Sequence, residues 1–260
     1  MKIVVGLLVA ISAVLVSCGG GGGENTPSGT TPTAPPFNGT IFIDANIITA
    51  ADPTTFRTLT PTGQGFRLMF DRRTATFNQV NAYLFNAMFS DGLTAEVQVN
   101  PEFGSTEAAR VQAEKYAVVI GRLPKALRLS VETVWIHKGV QPFGGGNKNL
   151  LIHVDQADLY IADGILEETF VHEAAHTSLD SAHANSPGWL AAQTKDVNLI
   201  STYARDNPTR EDVAESFLPY LALRYRSARI TPALANTIKR TIPNRIAYFD
   251  SLGLDMLPIQ

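Results

Sequence analysis

Cysteine is almost absent from this chain, and its scarcity excludes two kinds of structure. The single cysteine is Cys18, close to the N-terminus. A disulfide within the chain needs two cysteines, and cysteine-based zinc sites need at least two thiolates. Any metal ion bound by this protein must therefore be held by histidine and carboxylate side chains.

Positive charge is scarce and scattered. The chain has 21 Lys and Arg against 24 Asp and Glu, a formal net charge of −3, and no basic run or stripe. Nucleic-acid binding depends on many contacts between basic side chains and phosphates, so no nucleic-acid partner is expected. Because 45% of the residues are hydrophobic, the chain has enough apolar material for a globular core.

The first residues have the pattern of an export signal. Lys2 precedes an apolar run over residues 3–16, which is too short for a comfortable transmembrane helix, and the small Ser17 precedes Cys18. The sequence Leu-Val-Ser-Cys at 15–18 resembles the lipobox of bacterial lipoproteins. This resemblance implies removal of residues 1–17 and lipidation of Cys18, whose acyl chains would anchor the protein in a membrane.

Residues 18–36 are predicted to form a tether. A run of glycines over 19–23 precedes a segment rich in Pro, Ser and Thr that offers no core-forming residues. Gly19 follows the cysteine, which by the sorting pattern known for enteric bacteria resembles outer-membrane retention. We therefore expect a lipid-anchored protein of the bacterial cell envelope, with one folded domain over residues 37–260.

The folded part is predicted to be α+β. Hydrophobic alternation and spacing predict strands first and helices later. Predicted strands cover 40–43, 47–48, 66–70, 94–99, 127–137 and 149–154, and a loop covers 142–147. Predicted helices cover 78–89, 105–122, 165–183, 187–195, 210–226, 231–240 and 243–251. We expect a sheet-bearing half over 37–163 and an almost entirely helical half over 164–260, around a cleft.

The motif His172-Glu173-Ala174-Ala175-His176 indicates the chemistry. Residues four apart on a helix lie on the same face, so both imidazoles can reach one ion, and histidine nitrogen suits zinc. Glu173 projects nearby, where it can accept a proton from a water molecule that zinc has acidified. These are the parts of a zinc metallopeptidase with one zinc ion per chain.

A catalytic zinc site needs a third protein ligand, and the residues leave several candidates. Asp180 continues the stripe of His172 and His176, but its position favours orienting an imidazole over binding the ion. His183 lies one position beyond the third histidine of a metzincin motif, and no glycine turn precedes it. Glu211 and Glu215 lie one turn apart on a predicted second helix.

The stretch from Ser201 to Phe217 resembles the corresponding stretch of the anthrax lethal factor and Pro-Pro endopeptidase group of gluzincins. In that group, a glutamate from a second helix binds zinc, and a preceding tyrosine donates a hydrogen bond to the scissile carbonyl. The resemblance implies that Glu211 is the third ligand and that Tyr203 stabilises the oxyanion. We further expect Glu215 to support the site from one turn away, and Arg205 to assist Tyr203. It also implies a zincin-like fold, with a small mixed sheet, backing helices and active-site helices.

Zincins pair an edge strand with extended substrate, and the segment 149–154 is predicted to be that strand. His153 on it is expected to be structural, and His137 has no assigned role. The predicted function is hydrolysis of protein or peptide substrates outside the cytoplasm. Two alternatives remain open: a lipid-anchored binding protein without activity, and a toxin-like protease with one partner protein. Nothing in the sequence indicates the oligomeric state.

Overall fold

The computed structural model describes residues 34–259, which belong to one compact unit. The predicted export signal, the lipidated Cys18 and most of the predicted tether therefore lie outside the described residues. Within 34–259, none of the helices has the length and apolar character needed to cross a membrane.

The described residues contain six strands and ten α-helices. The strands are β1 Phe56–Asp71, β2 Thr76–Phe89, β3 Thr94–Val99, β4 Thr133–His137, β5 Gly144–Gly146 and β6 Asn149–His153. The helices are α1 Thr106–Ile120, α2 Lys125–Arg128, α3 Val154–Asp163, α4 Leu166–Ser178, α5 Asp180–His183, α6 Pro187–Lys195, α7 Thr202–Asp206, α8 Asp212–Tyr225, α9 Pro232–Thr241 and α10 Pro243–Ser251. Short 3-10 turns cover Pro101–Phe103 and Ser227–Arg229. The predicted α+β class is confirmed.

The strands form one mixed sheet in the order β1-β2-β3-β4-β6-β5. β1, β2 and β3 are antiparallel neighbours, β3, β4 and β6 run parallel, and β5 returns antiparallel beside β6. One face packs with α1, α4 and α8 into the main core, whose largest buried side chains include Phe85, Tyr116, Phe170 and Phe217. The core thus lies between the sheet and the helices that carry the site.

Several predicted elements are confirmed with small changes of boundary. β3 matches its predicted strand, and α10 matches its predicted helix. α1 begins where Ser105 predicts it, because the Ser105 hydroxyl accepts a hydrogen bond from the Ala108 N–H, as a helix N-cap does. The predicted helices 187–195, 210–226 and 231–240 appear as α6, α8 and α9.

The prediction of a helix over 78–89 is wrong, because these residues form β2. The strand pairs with β1 along almost its whole length, from Asp71 opposite Thr76 to Phe56 opposite Phe89. Residues 82–85 are all buried, since both faces of the sheet are covered there. Burial on both faces removes the alternation that marks a strand, and the remaining apolar spacing then resembles that of a helix.

The predicted strands 40–43 and 47–48 are also wrong. Residues 47–48 belong to a turn, in which the Ile47 N–H donates to the Asp44 carbonyl at 3.0 Å, and residues 40–43 bind side chains instead of a strand. The Ile41 N–H donates to Glu215 Oε2 at 3.0 Å. The N–H groups of Ile43 and Asp44 donate to the two oxygens of Glu168 at 2.7 and 2.9 Å. These carboxylates take the place of a neighbouring strand, so the N-terminal segment is extended but outside the sheet. Burial raises the pKa of Glu168 to about 7.

Four further segments differ from the prediction. The predicted strand 127–137 is shorter, since α2 occupies its start, and the predicted loop 142–147 contains β5. α3 was not predicted and follows β6 directly. The predicted helix 165–183 is two helices, because the chain departs from helical geometry at Leu179.

Candidate metal centre

The motif lies on α4, and its polar side chains, those of His172, Glu173 and His176, are on the side that faces away from the core. Ala174 and Ala175 are fully buried against the main core, whereas Glu173 is only partly buried. His172 and His176, one turn apart, point the same way, and their Nε2 atoms lie 3.1 Å from each other. The helix therefore presents two imidazole nitrogens to one point, as its periodicity predicts.

Glu211 completes the group from a different element. It lies immediately before α8, and its side chain is buried. Its Oε2 lies 3.1 Å from the Nε2 of His176 and 3.4 Å from the Nε2 of His172. An ion with tetrahedral bonds of about 2.0–2.1 Å separates its ligands by about 3.3–3.4 Å. The spacing of these three donor atoms thus fits a zinc ion. Within residues 34–259, His172, His176 and Glu211 form a group of side chains that could hold a metal ion.

Two carboxylates hold the histidines from behind. Asp180 Oδ2 lies 2.7 Å from the Nδ1 of His176, and Glu215 Oε1 lies 3.3 Å from the Nδ1 of His172. When a carboxylate accepts a hydrogen bond from the Nδ1–H group, the lone pair is on Nε2, which faces the centre. The two sequence-predicted supporting residues are therefore located behind the imidazoles.

The centre concentrates negative charge. Burial alone would lower the pKa of His172, but hydrogen bonds with Glu211 and Glu215 outweigh it and raise this pKa to about 10. Burial alone would also lower the pKa of His176, but hydrogen bonds with Asp180 and Glu211 outweigh it and raise this pKa to about 9. Burial would raise the pKa of Glu211, but the two histidines hold it well below its usual range. Such a centre favours positive charge, which protons or a metal dication can supply.

The centre opens into a cleft of about 680 Å³. Residues of α4 and of β5 both line this cleft. Thr40 and Phe42 of the N-terminal segment and Tyr203 of α7 complete the lining near the metal ligands. Glu173 also lines this cleft, so its carboxylate can reach a molecule bound beside the three ligands.

Comparisons of the chain with models of protein families, with curated proteins and with solved structures give no match. The chemistry of the site is therefore the basis on which a function can be inferred.

Tyr203 and Arg205, the two residues expected to stabilise the oxyanion, lie in different surroundings. Tyr203 lines the cleft, where partial burial and the charge and hydrogen bond of Glu211 raise the pKa of its phenol. Arg205 pairs with the neighbouring Asp206 at 2.8 Å and points away from the cleft lining. The expected role of Arg205 in stabilising the oxyanion is therefore not supported, since Arg205 does not line the cleft.

The other histidines do not join the centre. His183 Nδ1 lies 2.8 Å from the Tyr248 hydroxyl, so the side chain packs against α10. His137 and His153 are buried neighbours on β4 and β6 with stacked rings, and His153 Nδ1 lies 2.9 Å from the Lys138 carbonyl. His153 is therefore structural, as expected, and burial lowers the pKa of both imidazoles of this pair.

The edge of the sheet beside the cleft is β5, and the prediction that 149–154 forms this edge is wrong. That segment, β6, has β4 on one side and β5 on the other. β5 lies against α4: the Gly146 N–H donates to Thr177 Oγ1 at 2.8 Å, and Thr177 Oγ1 donates to the Asn149 carbonyl at 2.9 Å. A Cβ atom on Gly145 would lie only 1.8 Å from the Glu173 carbonyl oxygen. Only glycine permits this approach of strand and helix.

Gly145→Ala is expected to separate β5 from α4. The added methyl meets the backbone of Glu173, so the strand has to shift, and the free energy of unfolding should fall by about 1–3 kcal/mol. Urea denaturation followed by circular dichroism measures this loss. Gly144→Ala is the matched control, because its methyl would meet the flexible end of Arg72. Equal stability of both variants would contradict the close packing of Gly145.

Several side chains important to the site carried no signal in the sequence. Arg72 lines the cleft although it comes from the turn between β1 and β2, and Arg245 is buried behind the start of α8. Glu168 holds the N-terminal segment beside the cleft. Each acts through contacts between residues far apart in the chain, which periodicity and short motifs do not reveal.

Proposed function

We propose that this protein is a zinc-dependent endopeptidase of the gluzincin type. The observation that carries the proposal is the triangle of His172 Nε2, His176 Nε2 and Glu211 Oε2, with edges of 3.1–3.4 Å, beside Glu173 in an open cleft. Two histidines and a glutamate are a donor set typical of catalytic zinc sites in peptidases. The α+β fold with helices beneath a mixed sheet agrees with a zincin-like arrangement.

The residues around the centre have separable roles in this proposal. His172, His176 and Glu211 would hold a zinc ion, which would supply Lewis acidity and lower the pKa of a water molecule to roughly 7. Glu173 accepts a proton from the attacking water and delivers it to the leaving amine. Tyr203 donates a hydrogen bond to the oxygen that becomes negative as the carbonyl is attacked. Asp180 and Glu215 hold the imidazoles in the orientation that directs Nε2 to the centre.

The exposed edge of the sheet suits an extended peptide. β5 pairs with β6 on one side only. The Gly146 N–H already donates to Thr177 Oγ1, so a new strand would pair with this edge at the exposed Gly145. An extended chain that adds to this edge gains backbone hydrogen bonds, which recognise peptide without requiring one sequence. Because β5 lies against Glu173, such a peptide would pass directly over the general base. We therefore infer an extended polypeptide as the substrate class.

The predicted lipid on Cys18 would place this activity in the bacterial cell envelope. The first described residue, Ala34, lies near the end of the predicted tether, and the bridge between Phe37 and Ser201 joins the chain to the domain just before α7. A tether that enters beside the cleft would keep the site near the membrane surface. Substrates would then be proteins or peptides of the envelope or its surroundings.

Zinc analysis of the purified chain tests the proposal. We expect about one zinc ion per wild-type chain and a loss of most of it in Glu211→Ala, because two histidines alone bind zinc weakly. Glu107→Ala, at an exposed position on α1, is the matched control and should keep its zinc. Elemental analysis gives the metal content, and mass spectrometry of a peptide pool incubated with the protein gives hydrolysis.

Two results would contradict the proposal. A wild-type chain that binds no zinc after incubation with the metal would exclude the metal centre. A chain that binds zinc through Glu211 but cuts no peptide would favour a lipid-anchored binding protein instead.

A further inference from the structure

Arg72 is a cation in the cleft, and no carboxylate among residues 34–259 forms an ion pair with it. It lies in the turn between β1 and β2, and it lines the cleft together with Phe143, Tyr160 and Glu173. Its Nε atom is buried and has no hydrogen-bond partner among residues 34–259. The described contacts include no ion pair of Arg72 either. A guanidinium has five N–H donors, and leaving them unmatched at a buried position is costly.

The other cations that line the cleft are already paired. Lys148 Nζ lies 2.6 Å from Glu132 Oε1, and Arg210 Nε lies 3.2 Å from Glu211 Oε1. Both of these side chains are also largely exposed. Arg72 therefore differs from them in two respects, its partial burial and its missing partner.

The backbone that carries Arg72 is held firmly. Its neighbour Arg73 pairs with Asp71 at 2.7 Å and with Glu102 at 2.8 Å, and the Arg73 N–H donates to Asp71 Oδ1 at 2.9 Å. Asp71 is itself almost fully buried. These contacts of Arg73 fix the backbone of the turn. The adjacent side chain, Arg72, is thereby directed into the cleft at little further cost in conformational entropy.

The edge strand leaves space for the guanidinium. Arg72 Nη2 lies 2.9 Å, and Nε 3.6 Å, from the position that a Cβ atom on Gly144 would occupy. Glycine at this position thus lets the guanidinium lie over the backbone of β5, the strand beside which we place the substrate. A group of the substrate that extends from this edge would meet Arg72 directly.

We propose that Arg72 binds a carboxylate of the substrate and makes the cleft selective for acidic peptides. Guanidinium and carboxylate match in planar, two-bond geometry, and a partly buried pair is much stronger than an exposed one. The carboxylate can come from an Asp or Glu side chain or from a peptide C-terminus, which present the same group. The inference rests on the proposed peptidase function, because it assumes that polypeptide occupies the cleft.

An array of decapeptides tests the inference by binding, without any need for hydrolysis. The array contains matched pairs, Asp or Glu against Asn or Gln, and free C-termini against C-terminal amides. It is incubated with zinc-loaded, fluorescently labelled Glu173→Gln protein. A charge-assisted hydrogen bond contributes about 1.5–3 kcal/mol, so the acidic member should bind roughly 10- to 100-fold more tightly. The pairs that respond identify the source of the carboxylate.

Further variants assign the preference to Arg72. Adding Arg72→Gln should abolish the difference within pairs, and Arg72→Lys should retain part of it. Gly144→Ala should weaken it without removing any charge, since the methyl displaces the guanidinium. Lys148→Gln is the matched control and should leave the preference intact. Equal melting temperatures of Arg72→Gln and its parent would exclude misfolding as the cause.

Equal binding of acidic and amide members by the parent protein would overturn the inference, as would a preference that survives Arg72→Gln. Hydrolysis of the same peptides by the wild-type chain is measured separately. An Arg72-dependent preference without cleavage would refute the peptidase proposal and support the carboxylate site. Cleavage without an acidic preference would support the peptidase proposal and refute the carboxylate site.

Discussion

Glu173→Gln is expected to lower the rate of peptide hydrolysis by about 100- to 10,000-fold while zinc stays bound, because a general base contributes about this factor to proton transfer. Glu173 lines the cleft but is not one of the three atoms that form the metal triangle. Glutamine keeps the shape of the side chain and cannot accept the proton. Hydrolysis of a peptide pool by mass spectrometry, with zinc content measured on the same samples, checks both parts.

Glu167→Gln is a suitable control for this variant. Glu167 lies on the same helix, and its carboxylate is 3.5 Å from Arg122, away from the cleft lining. The change should leave both hydrolysis and zinc content close to wild type. Full activity in Glu173→Gln would show that another group acts as the base, and loss of zinc would show that Glu173 is itself a ligand.

Arg245→Met is expected to lower the free energy of unfolding by about 3–5 kcal/mol, because it leaves two buried carboxylates without their shared cation. Arg245 is fully buried, and it pairs with Asp196 at 2.9 Å and with Asp212 at 2.8 Å. Burial raises the pKa of Asp212, and the charge of Arg245 opposes that rise. Urea denaturation measures the loss of stability.

Arg245 also connects stability to the candidate metal centre. Asp212 is the first residue of α8 and follows Glu211 directly, so loss of its partner should also weaken zinc binding. Arg224→Met is the matched control: its pair with Asp250 is exposed and should contribute about 0–1 kcal/mol. A similar loss in both variants would mean that the buried network contributes no more than a surface ion pair.

Local chemistry made part of the fold predictable. Ser105 marked the start of α1 because its hydroxyl caps the first turn, and this contact involves residues only three apart. α10 was predicted with its bounds, since Pro243 suits the first turn of a helix. β2 was mistaken for a helix because its burial on both faces depends on the neighbouring β1 and on the helices of the core, which are distant in sequence.

In the candidate site too, local sequence determined some features and contacts between distant residues determined the others. The spacing of His172 and His176 alone determined that both imidazoles share a face of α4, because helical periodicity is a property of the backbone. Only the tertiary structure decided that Glu211 Oε2 lies within 3.4 Å of both, since α8 must pack against α4. It also decided that β5 rather than β6 borders the cleft, and that Arg72 lines the cleft with its Nε atom unpaired among the described residues 34–259. Pairing order and loop paths depend on contacts across the whole domain, and no local pattern encodes them.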